Sequence, residues 1–229
     1  WLRFRAADWG SAKPFSVGWW AVVGDDYSTD IGILPRGAIV RYREWYGKSA
    51  PNTGLKLTAE EVAQGIIDRE QPGEKITYGV IDPAAFAVDG GPSIAERMAK
   101  VMRSSFRRAD NKRVAQMGAL GGWDQMRSRM KGDGERPMIY TFSTCVDSIR
   151  TIPALQHDQD KPEDLDTDGE DHAADEWRYA CMSRPYLPAQ AIQKKPDQLI
   201  YEIKPDGRVM ANMSVMELVQ AKMRKKARD

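Results

Sequence analysis

The sequence predicts a mixed α/β sheet covered by helices. Three observations lead there. Three strand-like segments separated by turn residues fill the first 45 residues, and helical and strand-like segments alternate after them. Hydrophobic residues make up 41% of the chain and charged residues 29%, enough for a core under a well-solvated surface.

Leu2-Arg3-Phe4-Arg5-Ala6 alternates apolar and polar, Ser16 to Val23 is rich in Trp and Val, and Ala38 to Trp45 alternates again. Gly10 to Pro14, Gly24-Asp25-Asp26 and Pro35-Arg36-Gly37 punctuate these runs. Short connections of this kind predict an antiparallel meander. Thr58 followed by Glu61 has capping-box spacing and opens a helix through Val62, Ile66 and Ile67, which Pro72-Gly73 closes. A strand is expected over Ile76 to Ile81, ending at Asp82-Pro83. A helix is expected from Ser93 to about Phe106, with Ile94, Met98, Val101 and Met102 on its apolar side. Trp123 to Met130 reads as helix, Met138 to Phe142 as strand, and Val146 to Leu155 as helix. Gln156 to Asp171 is acidic and unpatterned, a loop or flexible hairpin. A last helix runs from Asp171 or His172 to about Cys181 and stops before Pro185. Residues 1–188 are expected to form one domain. The Pro-, Lys- and Gln-rich residues 189–229 form a tail with a helical stretch from Ser214 to Lys226.

Composition removes several function classes. Cys145 and Cys181 have no paired spacing, which suits a reducing compartment rather than a disulfide framework. With His157 and His172 they also lack zinc-ligand spacing. Ser143-Thr144-Cys145 is no nucleophile elbow, so covalent hydrolase chemistry is not expected. No apolar run reaches the roughly 20 residues a membrane span requires. Gly47-Lys48-Ser49 is not a P-loop, because Tyr42 stands where the first glycine belongs and Pro51 spoils the helix start. Trp19, Trp20, Trp45 and Trp123 are expected in the core.

Three carboxylates sit where chemistry could use them. Asp8 follows the first strand, Asp82 ends the fourth with Pro83 stopping its continuation, and Asp175 lies one turn into the last helix. Asp171, His172, Asp175 and Arg178 share one face of that helix through i+3 and i+4 spacing. Mg²⁺ and Mn²⁺ prefer carboxylate oxygens, and a pair of such ions can stabilise both the attacking and leaving oxygens of a phosphodiester. Spacing alone leaves open plainer roles: Asp8 in a turn, Asp82 as a strand-end cap, Asp171 as an N-cap.

Taken together and in order, Ala7-Asp8-Trp9-Gly10-Ser11, Val80-Ile81-Asp82-Pro83-Ala84 and Asp171-His172-Ala173-Ala174-Asp175 running into Arg178-Tyr179-Ala180 resemble the nuclease domain of the large terminase subunit of tailed double-stranded DNA bacteriophages. The resemblance spans roughly residues 2 to 185. It implies an RNase H-like fold and a metal-dependent endonuclease that cuts concatemeric phage DNA during genome packaging. It further implies two divalent ions, Mg²⁺ or Mn²⁺, held by Asp8, Asp82 and Asp175, with His172 and Asp171 as further candidate ligands. The implied partners are double-stranded DNA, an ATPase domain of the same polypeptide, the portal and the small terminase subunit, at a procapsid in the host cytoplasm. The chain begins at Trp1, so the motor is expected in a missing N-terminal portion. A Holliday-junction resolvase or transposase-like nuclease of the same fold is an alternative, as is a non-cutting module that grips DNA for the packaging motor.

The formal net charge of +1 hides a segregation. Arg97, Lys100, Arg103, Arg107, Arg108, Lys112, Arg113, Arg127, Arg129 and Lys131 gather in one stretch. Arg103, Arg107, Arg108, Lys112, Arg113 and Arg127 are the expected DNA contacts, through phosphates rather than bases. The acidic stretch from Asp158 to Asp171 is expected to repel DNA or act as a gate.

Overall fold

The computed structural model describes all residues except 103, 116–119, 168, 188–200, 205–208, 212–213 and 215–229. Trp1–Pro188 forms one compact unit and Ala189–Asp229 another. In the second, Tyr201–Ile203 pairs antiparallel with Val209–Ala211. The expected helix from Ser214 to Lys226 and the basic cluster Arg224 to Arg228 lie outside the described residues.

Strands β1 (Leu2–Asp8), β2 (Ser16–Val22) and β3 (Ile39–Tyr46) form the antiparallel meander. Beyond β1, strand β4 (Tyr78–Ile81) pairs parallel to it, and β5 (Phe106–Arg108) pairs parallel to β4. At the other edge β6 (Ile139–Thr141) runs parallel to β3. The order across the sheet is β6-β3-β2-β1-β4-β5. Two small hairpins, Tyr27–Thr29 with Gly32–Leu34 and Lys48–Ala50 with Thr53–Gly54, occupy segments that read as turns or connections.

Helices cover both faces. On one lie α1 (Ala59–Asp68), whose Thr58–Glu61 capping box forms in both halves, and α2 (Ile94–Val101), capped the same way by Ser93 and Glu96. Ala7, Val17, Trp19, Val62, Ile66, Ile81, Met98 and Phe106 meet there. On the other lie α3 (Gly122–Lys131) and α5 (His172–Ser183), burying Phe4, Ala6, Trp20, Val80, Trp123, Met126 and Trp177. Helix α4 (Val146–Thr151) follows β6 and continues as a 3-10 turn to Ala154. Because both faces are covered, the alternation of β1 does not mark a solvent face. Arg5, in the core at 1% exposure, pairs with Glu70 at 3.1 Å.

The helix expected to reach Phe106 stops at Val101, and Met102 is already extended. Phe106 instead enters the sheet as β5. A Cβ on Gly79 would stand 2.7 Å from the Phe106 ring, so the bare glycine backbone of β4 is what receives it. Pairing with β4 and burial of an aromatic ring outweigh continuation of a helix through Ser104 and Ser105. Arg107 and Arg108 therefore lie on an edge strand rather than beside a loop.

Candidate active site

Period-2 alternation puts Asp8 on the same face of β1 as Phe4 and Ala6, the face that α5 covers. Its parallel neighbour β4 ends level with it: the Asp82 N–H donates to Ala7 O at 3.2 Å. Asp8 and Asp82 thus mark the carboxyl ends of adjacent parallel strands, where ligand sites in open sheets form. Pro83 begins a 3-10 turn over Pro83–Phe86, and the Asp82 carboxylate accepts from the Ala84 N–H at 3.1 Å. The start of α5 arrives from above. His172 Nδ1 lies 3.2 Å from Asp8 Oδ2 and 3.8 Å from Asp171 Oδ1. Asp171 is the N-cap residue of α5, as its position suggested, but its side chain makes no capping hydrogen bond.

The charges of these groups act on one another. Burial, then the charges of Asp175 and Asp82, push the Asp8 carboxyl up to about 7, against the lowering pull of His172. Asp171 is likewise raised, first by burial and then by Asp175. Burial works to lower the His172 imidazole, but the hydrogen bond to Asp8 and the charges of Asp8, Asp171 and Asp175 outweigh it, and the imidazole stands above its ordinary range. Tyr179, buried on α5, is raised by burial and then by Asp8, Asp175 and Asp82 together. One phenol therefore feels all three carboxylates.

Two side chains next to Asp175 fix where it points. Arg178 donates to Asp175 Oδ1 from Nε at 3.0 Å and from Nη2 at 2.8 Å, and its Nη1 donates to Asn111 O at 2.6 Å. Gly122 makes room for it, since a Cβ there would stand 2.3 Å from Arg178 Cγ. Glu176 points the other way into the core. It accepts from Trp20 Nε1 at 2.6 Å on Oε1 and from Arg41 Nη2 and Nε at 2.6 and 3.0 Å on Oε2. Arg41 also pairs with Glu44 and donates to Ser148 Oγ at 2.9 Å. Both Arg41 and Glu176 are fully buried, and the sequence reading assigned neither a role. A signal existed: Arg41 sits in an apolar stretch of β3, facing a Gly18-Trp19-Trp20 run on β2.

The donor chemistry suits divalent cations. The charges of Asp8, Asp82, Asp175 and Asp171 act on one another, with Asp8 and Asp171 buried. The His172 Nε2 atom is also buried without a hydrogen-bond partner, the form a histidine presents to a metal when Nδ1–H donates elsewhere. Among the described residues no three His, Cys, Asp or Glu side chains are already drawn around one point at ligating distance. Asp175 is held aside by Arg178 and Asp82 is turned toward its own loop. The residues are assembled, but the cage is open.

The basic residues divide. Arg107, Arg108, Lys112 and Arg127 are exposed. Arg107 stacks 4.1 Å over the Tyr78 ring, and Arg108 donates to Pro83 O at 3.3 Å beside Asp82. Arg127 pairs with Asp124 at 3.3 Å. Arg113 is half-buried, 3.1 Å from Asp164 and 3.6 Å from Asp171. Arg129, counted with the basic stretch, is buried at 3% exposure and donates to the carbonyls of Gly37, Met138 and Arg184, so it belongs to the core. Arg97 is paired with Glu60. Arg103 lies outside the described residues.

No protein-family model and no curated protein matches the chain. Solved structures do. The chain is similar to the large terminase of a thermophilic bacteriophage, with 16% identity and a TM-score of 0.57 over 81% of this chain. It is also similar to the P22 large terminase nuclease domain, with 15% identity and a TM-score of 0.51 over 80% of this chain and 81% of that one. The fold is that of a large-terminase nuclease domain. The thermophilic phage terminase in complex with ATP-γ-S matches at 17% identity and a TM-score of 0.53. This terminase-nuclease fold is RNase H-like, a mixed sheet flanked by helices. The chain spans about 40% of the length of the thermophilic phage terminase. No described helix is long and apolar enough to cross a membrane.

Proposed function

We propose that this chain is a divalent-metal-dependent endonuclease domain that cuts double-stranded DNA during phage genome packaging. The observation that carries the reading is the meeting of Asp8, Asp82 and the acidic face of α5 at one end of the sheet, on a terminase-nuclease fold. Asp8, the most buried of the three carboxylates, would hold the ions together with Asp82 and Asp175, with His172 and Asp171 as further candidate ligands. Bound Mg²⁺ or Mn²⁺ would supply Lewis acidity to the phosphodiester and lower the pKa of the attacking water. The protein's own part is to orient. Arg178 fixes one Asp175 oxygen, His172 fixes one Asp8 oxygen, and the lid of α5 over β1 keeps the carboxylates away from bulk water. Arg108, next to the Asp82-Pro83 turn, is placed to meet a phosphate there. An ATPase domain of the same polypeptide, the portal and the small subunit are the proposed partners, and the host cytoplasm the proposed setting.

The open cage favours a second reading, a module that grips DNA without cutting it. Supercoiled plasmid separates the two. With Mn²⁺ the domain is expected to yield nicked and linear forms, and Asp8→Asn or Asp175→Asn to yield neither while remaining folded by circular dichroism. Intact plasmid from the unmodified chain, or undiminished cutting by either variant, would refute the nuclease assignment. Preference for branched over linear duplex would point instead to a resolvase-like role.

A further inference from the structure

Next to the acidic site runs an open groove of about 640 Å³, lined by Lys112, Arg113 and Val114 from the segment before α3 and by Lys161 and Pro162 from the loop before α5. Its chemistry is uneven. Lys112 and Lys161 are exposed. Arg113 lies 5.3 Å above the Trp123 ring, and its Nε and Nη2 atoms are buried without an aligned hydrogen-bond acceptor, although Asp164 and Asp171 are close in charge. Of the two acids in the wall, Asp164 is already occupied. It accepts from Trp123 Nε1 and from the Leu165 N–H, each at 2.8 Å, and these contacts, after the opposing effect of burial, hold its carboxyl below the usual range. Asp158 is likewise turned inward, accepting the N–H groups of Asp160 and Lys161 at 2.8 Å. The acidic loop therefore presents a lysine to this groove, with Glu163 as its exposed acid.

We propose that this groove is a subsite for the phosphodiester backbone of DNA, with Lys112 and Lys161 as its phosphate contacts. The assignment rests on the nuclease reading and deepens it. Arg113 spans the distance between groove and site, so a backbone lying there passes within one guanidinium of Asp171. Arg113, held by Asp164 and Asp171, adds positive charge behind the two lysines. Val114 and Pro162 offer no group that reads a base edge, so recognition by this wall is independent of sequence. Lys161 comes from a stretch whose composition suggested repulsion of DNA or a gate.

The test is binding of the full chain to a short fluorescent duplex by anisotropy, in EDTA so that no cutting intervenes, across a salt series. Lys161→Ala and Lys112→Ala should each weaken binding by about eightfold at about 0.1 M salt and shorten the slope of log K against log salt by about 0.9, the signature of one lost phosphate contact. Lys75→Ala, exposed at the opposite end of β4, should change neither. Two duplexes of unrelated sequence should behave alike. Variants at 112 and 161 that bind as the unmodified chain does would overturn the groove. A chain that cuts plasmid while these variants bind normally loses the groove but keeps the nuclease. One that never cuts, but whose variants lose affinity, keeps the groove and loses the nuclease.

Discussion

Helix α5 carries two adjacent acids with opposite fates, and the contrast separates a structural charge from a chemical one. Glu176 is fully buried, yet every neighbour answers it: Trp20 donates to one oxygen and Arg41 to the other. Burial raises its carboxyl, with Arg41 and Trp20 pulling the other way. Asp175 faces a volume in which Asp8, Asp171 and Asp82 add negative charge, with Arg178 and Arg113 as the cations beside them and His172 bonded to Asp8. A buried charge that is matched specifies the fold. One left in excess calls for a cation from outside. The first cluster sets the rotation of α5, and the second uses it.

The matched cluster should be the more costly to break. Glu176→Ala leaves the Arg41 guanidinium buried and without its main partner, and losses of about 3–5 kcal/mol are typical of such a break. At about 2–4 °C per kcal/mol for a chain of this size, the melting temperature should fall by roughly 6–20 °C. A fall no larger than that of an exposed control such as Glu163→Ala would show that Glu176 is no keystone. Gly18→Ala attacks the same cluster from β2. Its Cβ would stand 2.3 Å from Glu176 Oε1 and 2.7 Å from Arg41 Nε. Overpacking of this kind costs about 1–3 kcal/mol. Since the pair also positions α5, Gly18→Ala should weaken Mn²⁺ binding measured by calorimetry. Unchanged affinity would uncouple the two clusters.

This contrast also explains what the sequence let a reader see. The meander, β4, β6, the Thr58–Glu61 capping box and α5 follow from period-2 runs, turn residues and Ser/Thr-x-x-Glu spacing, all of which are local signals. Strand β5 was hidden, because Phe106 and Arg107 take their pairing from Gly79 and Val80, far away in the chain. In the site, Asp8, Asp82, His172 and Asp175 were legible because short motifs mark them. Glu176, Arg41 and the phenol of Tyr179 were not, because their importance lies largely in partners far away in the chain. Charge counting misled in both directions. It placed Arg129 on the surface, although three carbonyls hold it inside, and it read the acidic loop as uniformly negative, although Lys161 and a spent Asp164 face the groove.

The smallest expected effect sharpens the comparison most. Asp8 stands near 7 in the folded chain, well above the range of an exposed aspartate. The folded state therefore holds this proton more tightly than the unfolded state does. Stability from this group is complete below about pH 4, declines as pH rises toward about 7, and is flat beyond. Asp8→Asn removes that decline, so in EDTA at neutral pH the variant should melt a few degrees above the unmodified chain, and the two should converge in mild acid. The same substitution is expected to abolish cutting. Divalent cation must displace the Asp8 proton, so affinity for Mn²⁺ should climb with pH up to about 7 and then level off. A melting difference between the two proteins that does not change with pH, or a metal affinity that does not, would mean the Asp8 carboxylate is as well matched as Glu176, leaving no excess charge for an ion to neutralise.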